Sequence, residues 1–390
     1  MNALRLHEYH HRLGARFAEV DGEQVVNDYG DWVAEHAALH HSAGVLDFSF
    51  RARLCLVGAD RARFLHGQVT NDVKKLRVGG GCYAAITTTK GKMEGDLNIL
   101  CLADELLLDF EPGLTGKISQ RLEKYLVADE VQVMDAAPHY SLLSVQGPKA
   151  GVILRALGWF AEIPPHPLAS VIFSEVTLGE IILANHARLA RLCSRRREEA
   201  PFNTVDQPII PAAVACDTGY DLFVPNHSLS AVVEQLIAVA KTIGGCACGW
   251  QAFETARIEA GIPRYGADMD ETSLPLECGL EARAISYTKG CYIGQEVINR
   301  IHSVGHVNRE LRGLRLADDL TTLPQRGDKL VHAGKWVGQI TSAVHSPWLK
   351  ANLALGYVRR EVRQIGTELR LQTVAGESGA RIVDLPFTPA

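Results

Sequence analysis

Lys289-Gly290-Cys291-Tyr292-Ile293-Gly294-Gln295-Glu296 is the stretch on which the reading of this chain turns. Gly290 and Gly294 open backbone conformations closed to other residues, so the segment can form a tight turn with close ligand approach. Gln295-Glu296-Val297-Ile298 then reads as the first turn of a helix whose free N–H groups lie near Cys291. A neighbouring Lys289 and a helix N-terminus both favour thiolate, which makes Cys291 a candidate reactive residue and Lys289 its candidate partner. The plainer alternative is a structural thiol in a turn.

Outward from this segment the chain alternates between strand and helix patterns. Residues 28–44 carry helical spacing of Trp32, Val33, Ala37 and Leu39, and Arg53–Val57 alternates as a strand. Asp60 reads as an N-cap for a helix over 61–70 with Phe64 and Leu65 inward. A strand at Cys82–Thr87, a turn at Lys90-Gly91-Lys92 and a strand pair over 96–110 follow, then an amphipathic helix over 114–127. The alternation resumes at Ser141–Val145, with Gly147-Pro148 opening a helix, and ends with a strand at Tyr220–Val224 and a helix over 228–243. After residue 310, six short β-type runs separated by glycine, proline or charged turns read as a small barrel or sandwich.

With 390 residues, 47% hydrophobic and 22% charged, the chain has the composition of a folded protein of two or three domains. A net charge of −5 gives no overall pull toward nucleic acid or an anionic membrane. Neither a secretory signal nor a membrane-length apolar run is visible. The nine scattered cysteines read as reduced thiols of a cytoplasmic protein. Cys246-x-Cys248 is spaced too tightly for a usual zinc pair, and no metal site is expected. Arg188, Arg191, Arg195, Arg196 and Arg197 read as a solvated loop, with an RNA or acidic partner as the alternative.

The eight-residue segment closely resembles the signature of the YgfZ-type folate-binding proteins, relatives of the glycine-cleavage T-protein. Other pieces continue the likeness in order: Ala43–Ser49, Phe64–Val73, Val145–Pro148, Arg257–Gly261, Tyr265–Asp268, Leu274–Glu277, and Thr341-Ser342 with Ser346-Pro347. The resemblance implies an α+β, T-protein-like ring of three domains: two mixed α/β lobes with antiparallel sheets plus a C-terminal β-barrel. The expected division is 1–50 with 140–245, 51–139 with 246–309, and 310–390. Tetrahydrofolate, or a one-carbon derivative, is the implied cofactor. T-proteins use it to accept a methylene group from an aminomethylated lipoyl arm; YgfZ relatives are associated with folate-dependent upkeep of iron–sulfur enzymes, some of which modify tRNA.

Residue by residue, the implied folate contacts are Asp96, Asp217, Asp221, Arg257, Tyr292, Gly290 and Gly294. A pterin ring needs a carboxylate for its N3–H and 2-amino group, which Asp217 or Asp221 can supply. Arg257 suits the glutamate tail, with a structural pair to Glu254 or Glu259 as the alternative. Three departures from the T-protein pattern stand out: Gly95 in place of the first of two adjacent aspartates, Phe253, and Cys291 where an aspartate is usual. Together they favour a folate-binding factor that supports iron–sulfur client or assembly proteins through Cys291. An aminomethyltransferase or demethylase of the T-protein type is the enzymatic alternative, and a ligand-free scaffold the third.

Overall fold

The computed structural model describes residues 2–189 and 219–388. Asp217 and the arginines at 191, 195, 196 and 197 lie outside the described residues. Three β-structures organise the rest. A six-stranded sheet runs Ser170–Glu175, Gly179–Asn185, Gly219–Pro225, Tyr140–Gln146, Gly44–Asp47 and Cys246–Ala247. Its pairings are antiparallel except the last, where Cys246–Ala247 lies parallel to Gly44–Asp47. Cys246–Ala247 therefore adds to the first sheet, although the expected division assigned it to the second lobe.

The second sheet is five-stranded and wholly antiparallel, in the order Gly81–Thr87, Met93–Cys101, Glu105–Phe110, Ala52–Val57 and Gln132–Asp135. Successive strand residues point to opposite faces, and here the two faces have different chemistry. One face is apolar: Leu54, Ala84, Ile86, Leu97, Ile99, Leu108 and Phe110 pack under Phe64 and Leu65 of helix Arg61–Gln68 and under Ile118 and Leu122 of helix Thr115–Glu123. Full burial of each of these larger side chains contributes roughly 1.5–3 kcal/mol. The opposite face carries Tyr83, Asp96, Asn98 and Asp109. Tyr83 stands opposite Asn98, and Asn98 opposite Asp109, so the register alone gathers these polar groups.

Asp60 is the N-cap residue of its helix, as expected, but its side chain makes no capping hydrogen bond. One carboxylate oxygen instead accepts the Glu130 N–H at 3.0 Å, and Arg63 pairs with the group. The C-terminal strands close into a six-stranded barrel in the order Arg309–Leu316, Ala351–Arg359, Lys335–Ser346, Lys329–His332, Glu368–Thr373 and Gly376–Val383. Among the described residues no helix is long and apolar enough to cross a membrane.

Candidate functional site

The polar face of the second sheet meets the first sheet and helix Trp250–Glu259 around a cavity of about 80 Å³. Phe48, Tyr83, Trp250 and Phe253 give it aromatic walls, and Asp96, Asn98 and Glu111 supply acid and amide groups. Arg51, Arg188, Arg257, Arg264 and Arg283 also line it, with His186, Ile262 and Pro263.

Asp96 is the carboxylate with capacity to spare. Tyr83 donates its hydroxyl to Asp96 Oδ2 at 2.6 Å, while Asp96 Oδ1 is buried without a partner. Burial first, and the nearby negative charge of Glu111 second, push the Asp96 carboxyl up to about 6, against the opposing effect of the Tyr83 hydrogen bond. The other acids are held by arginines. Arg51 forks onto Asp109 at 2.8 and 3.1 Å and also pairs with Glu111. Burial alone would raise the Asp109 carboxyl, but Arg51 and Arg188 hold it far below the usual carboxylate range.

Asp221, expected to face a pterin, does not line the cavity. Its oxygens are taken by Arg188 at 2.6–3.1 Å, by His186 at 2.8 Å and by Ser144 at 2.7 Å. Arg188 is correspondingly buried, not part of a solvated loop, and also bridges to Asp109 at 2.9 Å. Arg257 reaches the cavity lining, yet its guanidinium is fixed by Asp268 and Glu254 and donates to Ser342 at 2.9 Å. Of the two structural pairings foreseen for it, Glu254 is the one formed, while Glu259 faces two histidines instead.

The segment 289–296 forms a separate corner. Gly294 has φ of +89°, and a Cβ there would come within 2.6 Å of Thr87 Oγ1 and the Thr88 carbonyl. Gly290 lies outside the left-handed region, so the turn needs only the second glycine. Gln295–Val304 is a helix, as its first four residues indicate. Lys289 is buried and donates to the carbonyls of His66, Val69 and Asn71 at 2.6, 2.6 and 2.7 Å. Its ammonium is committed to the chain end of helix Arg61–Gln68, not to a thiol, and burial lowers it to about 8. Tyr292 is buried beneath it, with the Lys289 ammonium 4.9 Å from the ring. Cys291 is exposed, and neither it nor Lys289, Gly290, Tyr292 or Gly294 lines the Asp96 cavity.

Gly95 also reads differently in three dimensions. Its missing side chain would point at Ile118 Cδ1, 3.2 Å away, on the apolar face opposite Asp96. An acid at 95 would not share the cavity, so Gly95 removes no carboxylate from it. The sequence reading missed Tyr83, Arg51, Glu111, Trp250 and Arg264. A signal for them existed in the alternating polar positions Asp96, Asn98 and Asp109 within otherwise apolar strands.

Residues 6–186 and 199–289 match the family described as GCVT N-terminal domain, and residues 309–388 match the glycine cleavage T-protein C-terminal barrel domain. The chain belongs to the glycine cleavage T-protein family. It is 29% identical to a protein named aminomethyltransferase from Symbiobacterium thermophilum, over 98% of this chain and 96% of that relative. A second aminomethyltransferase, from Bacillus licheniformis, is 24% identical over 98% of this chain and 97% of the relative. Among solved structures, the glycine cleavage system aminomethyltransferase T of Bartonella henselae superposes with a TM-score of 0.83 at 21% identity, covering 100% of this chain and 98% of that one. The expected fold class is thereby established.

Proposed function

We propose that the chain binds a reduced folate in the Asp96 cavity and acts there as a one-carbon transfer protein of the aminomethyltransferase kind. The observation that carries this reading is the buried, unpartnered Oδ1 of Asp96 among aromatic walls. A pteridine is a flat heteroaromatic plane with N–H donors along one edge, which suits stacking on Phe48, Trp250 or Phe253 and pairing with a carboxylate. Bound, a folate would supply an acceptor for a one-carbon unit. Arg283, whose guanidinium lies 4.9 Å from the Tyr83 ring centre in the lining, is suited to a tail carboxylate, whereas Arg264 is already paired with Asp21 and Glu111.

Asp96 contributes a carboxyl group poised near neutrality, able to hold or release a proton at a substrate amine nitrogen. Tyr83 fixes its orientation. The names of the curated relatives support aminomethyl transfer over the other readings. The geometry at Gly95 supports it too, since that departure leaves the cavity carboxylate intact.

A second reading, support of iron–sulfur enzymes by a YgfZ-type cytoplasmic protein, rests on the exposed thiol of Cys291 and on the sequence of its segment. The test uses calorimetric titration with 5-formyl-tetrahydrofolate of the wild type, Asp96→Asn and Cys291→Ser. The proposal expects saturable binding that weakens at least tenfold in Asp96→Asn and persists in Cys291→Ser. Ammonia and methylenetetrahydrofolate formation from an aminomethylated lipoyl substrate then separates the two readings. Absence of folate binding by the wild type would overturn both.

A further inference from the structure

His36 and His40 stand one turn apart on helix Trp32–His41, and both reach Glu259 at the end of helix Trp250–Glu259. His36 Nε2 lies 3.0 Å and His40 Nε2 2.8 Å from the same oxygen, Glu259 Oε2. The two ring nitrogens are 3.2 Å apart. Hydrogen bonding cannot close this triangle. Two neutral imidazoles bring at most one N–H each to it, and an ionised carboxylate brings none. If both hydrogens point to the oxygen, the nitrogen–nitrogen edge sets donor against donor. If one points to the other nitrogen, a nitrogen–oxygen edge sets lone pair against lone pair. A cation at the centre, accepting one lone pair from each atom, satisfies all three edges together.

We infer that His36, His40 and Glu259 form a binding site for a divalent metal ion, zinc by its ligand chemistry. Imidazole nitrogens and a carboxylate oxygen bind zinc at about 2.0–2.1 Å, which for tetrahedral geometry sets ligand–ligand edges near 3.3 Å. The observed edges need to open by only a few tenths of an ångström. Histidines four residues apart share one helical face, so the helix presents both without distortion. His36 and Glu259 are buried, whereas His40 is partly open, leaving its side for a fourth ligand such as water. The Trp348 ring lies against His40 at 4.2 Å between centroids, tilted by 33°. The ion would join two helices of distant sequence beneath the barrel, a structural role. The other close group of this kind among the described residues, Asp109, His186 and Asp221, already has Arg188 at both carboxylates and carries no such vacancy of charge.

The full-length protein, stripped with a chelator, is titrated with Co2+ and then Zn2+. One equivalent of cobalt is expected, with the visible absorption of a four-coordinate nitrogen–oxygen site, and zinc should displace it. His40→Ala should lose that equivalent while keeping its circular dichroism, because His40 is partly exposed; Cys246→Ser should keep it. Zinc should also raise the wild type's unfolding temperature and leave that of His40→Ala unchanged. A wild type that takes up neither ion overturns the proposal. So does a site that survives His40→Ala, or one that disappears in Cys246→Ser.

Discussion

The Tyr83 hydroxyl donates to one oxygen of Asp96 and leaves the other buried and unanswered. The two residues sit diagonally on neighbouring strands, Tyr83 facing Asn98 and Asp96 two positions along the same face. Such a carboxylate is costly to ionise in the folded protein, and that cost depends on pH.

Asp96→Asn should therefore stabilise the protein in neutral solution. The folded-state carboxyl titrates near 6, above its unfolded value, so the folded form holds a proton that the unfolded form releases between about pH 4 and 6. Stability falls as pH rises through that window, by up to about 3 kcal/mol. Urea unfolding at pH 7.5 should show the asparagine variant ahead, and the gap should close by pH 4. An unchanged gap across both pH values would refute the burial of charge at Asp96.

Removing the Lys289 ammonium should unfold the corner it holds. Lys289→Met leaves three buried carbonyls without their donor and should cost about 3 kcal/mol or more. Chemical denaturation measures the loss. If Lys289 served chiefly to activate Cys291, stability would hold and only thiol reactivity would drop.

Brief alkylation of the native protein, read by peptide mass spectrometry, should label Cys291 ahead of the other cysteines among the described residues. Cys291 is exposed, whereas Cys82 and Cys278 are shielded and burial pushes both thiols up to about 12. Labelling Cys291 should leave 5-formyl-tetrahydrofolate affinity within twofold, because the thiol does not line the cavity.

Gly95→Asp restores an adjacent pair of acids in the sequence but not in space. Its carboxylate would enter the apolar face against Ile118, costing at least ~2 kcal/mol. Folate affinity should gain nothing. A tighter complex from this variant would show that the strand can twist position 95 into the cavity.

These contrasts show which parts of the molecule one sequence discloses. The barrel strands and most helices were legible because periodicity and turn residues act over a few positions, as at Lys90-Gly91-Lys92 and Gln295–Ile298. Asp96 became a candidate only through the likeness of its segment to T-proteins, since a lone aspartate entering a strand is ordinarily a turn residue. The cavity around it was not legible, because Tyr83 and Asp96 come from different strands and meet only through sheet register, while Trp250 and Phe253 come from a distant helix. Adjacency also misled at Lys289 and Cys291. Two residues apart in an irregular segment, one points into the protein and the other out. Asp221 had the chemistry for a ligand, but His186 and Arg188, distant in sequence, claim it.

The three carbonyls gathered by Lys289 give the eight-residue string a different meaning. Gly294 and Lys289 are fasteners, dictated by the fit of this corner against Thr87, Thr88 and the end of helix Arg61–Gln68. Chains collected by searching for that string would be sorted by how the corner is pinned, and two collected together could still differ in what they do. The label by which such a chain is most easily recognised belongs to its carpentry; the trade proposed for it lies in other residues, Tyr83 and Asp96.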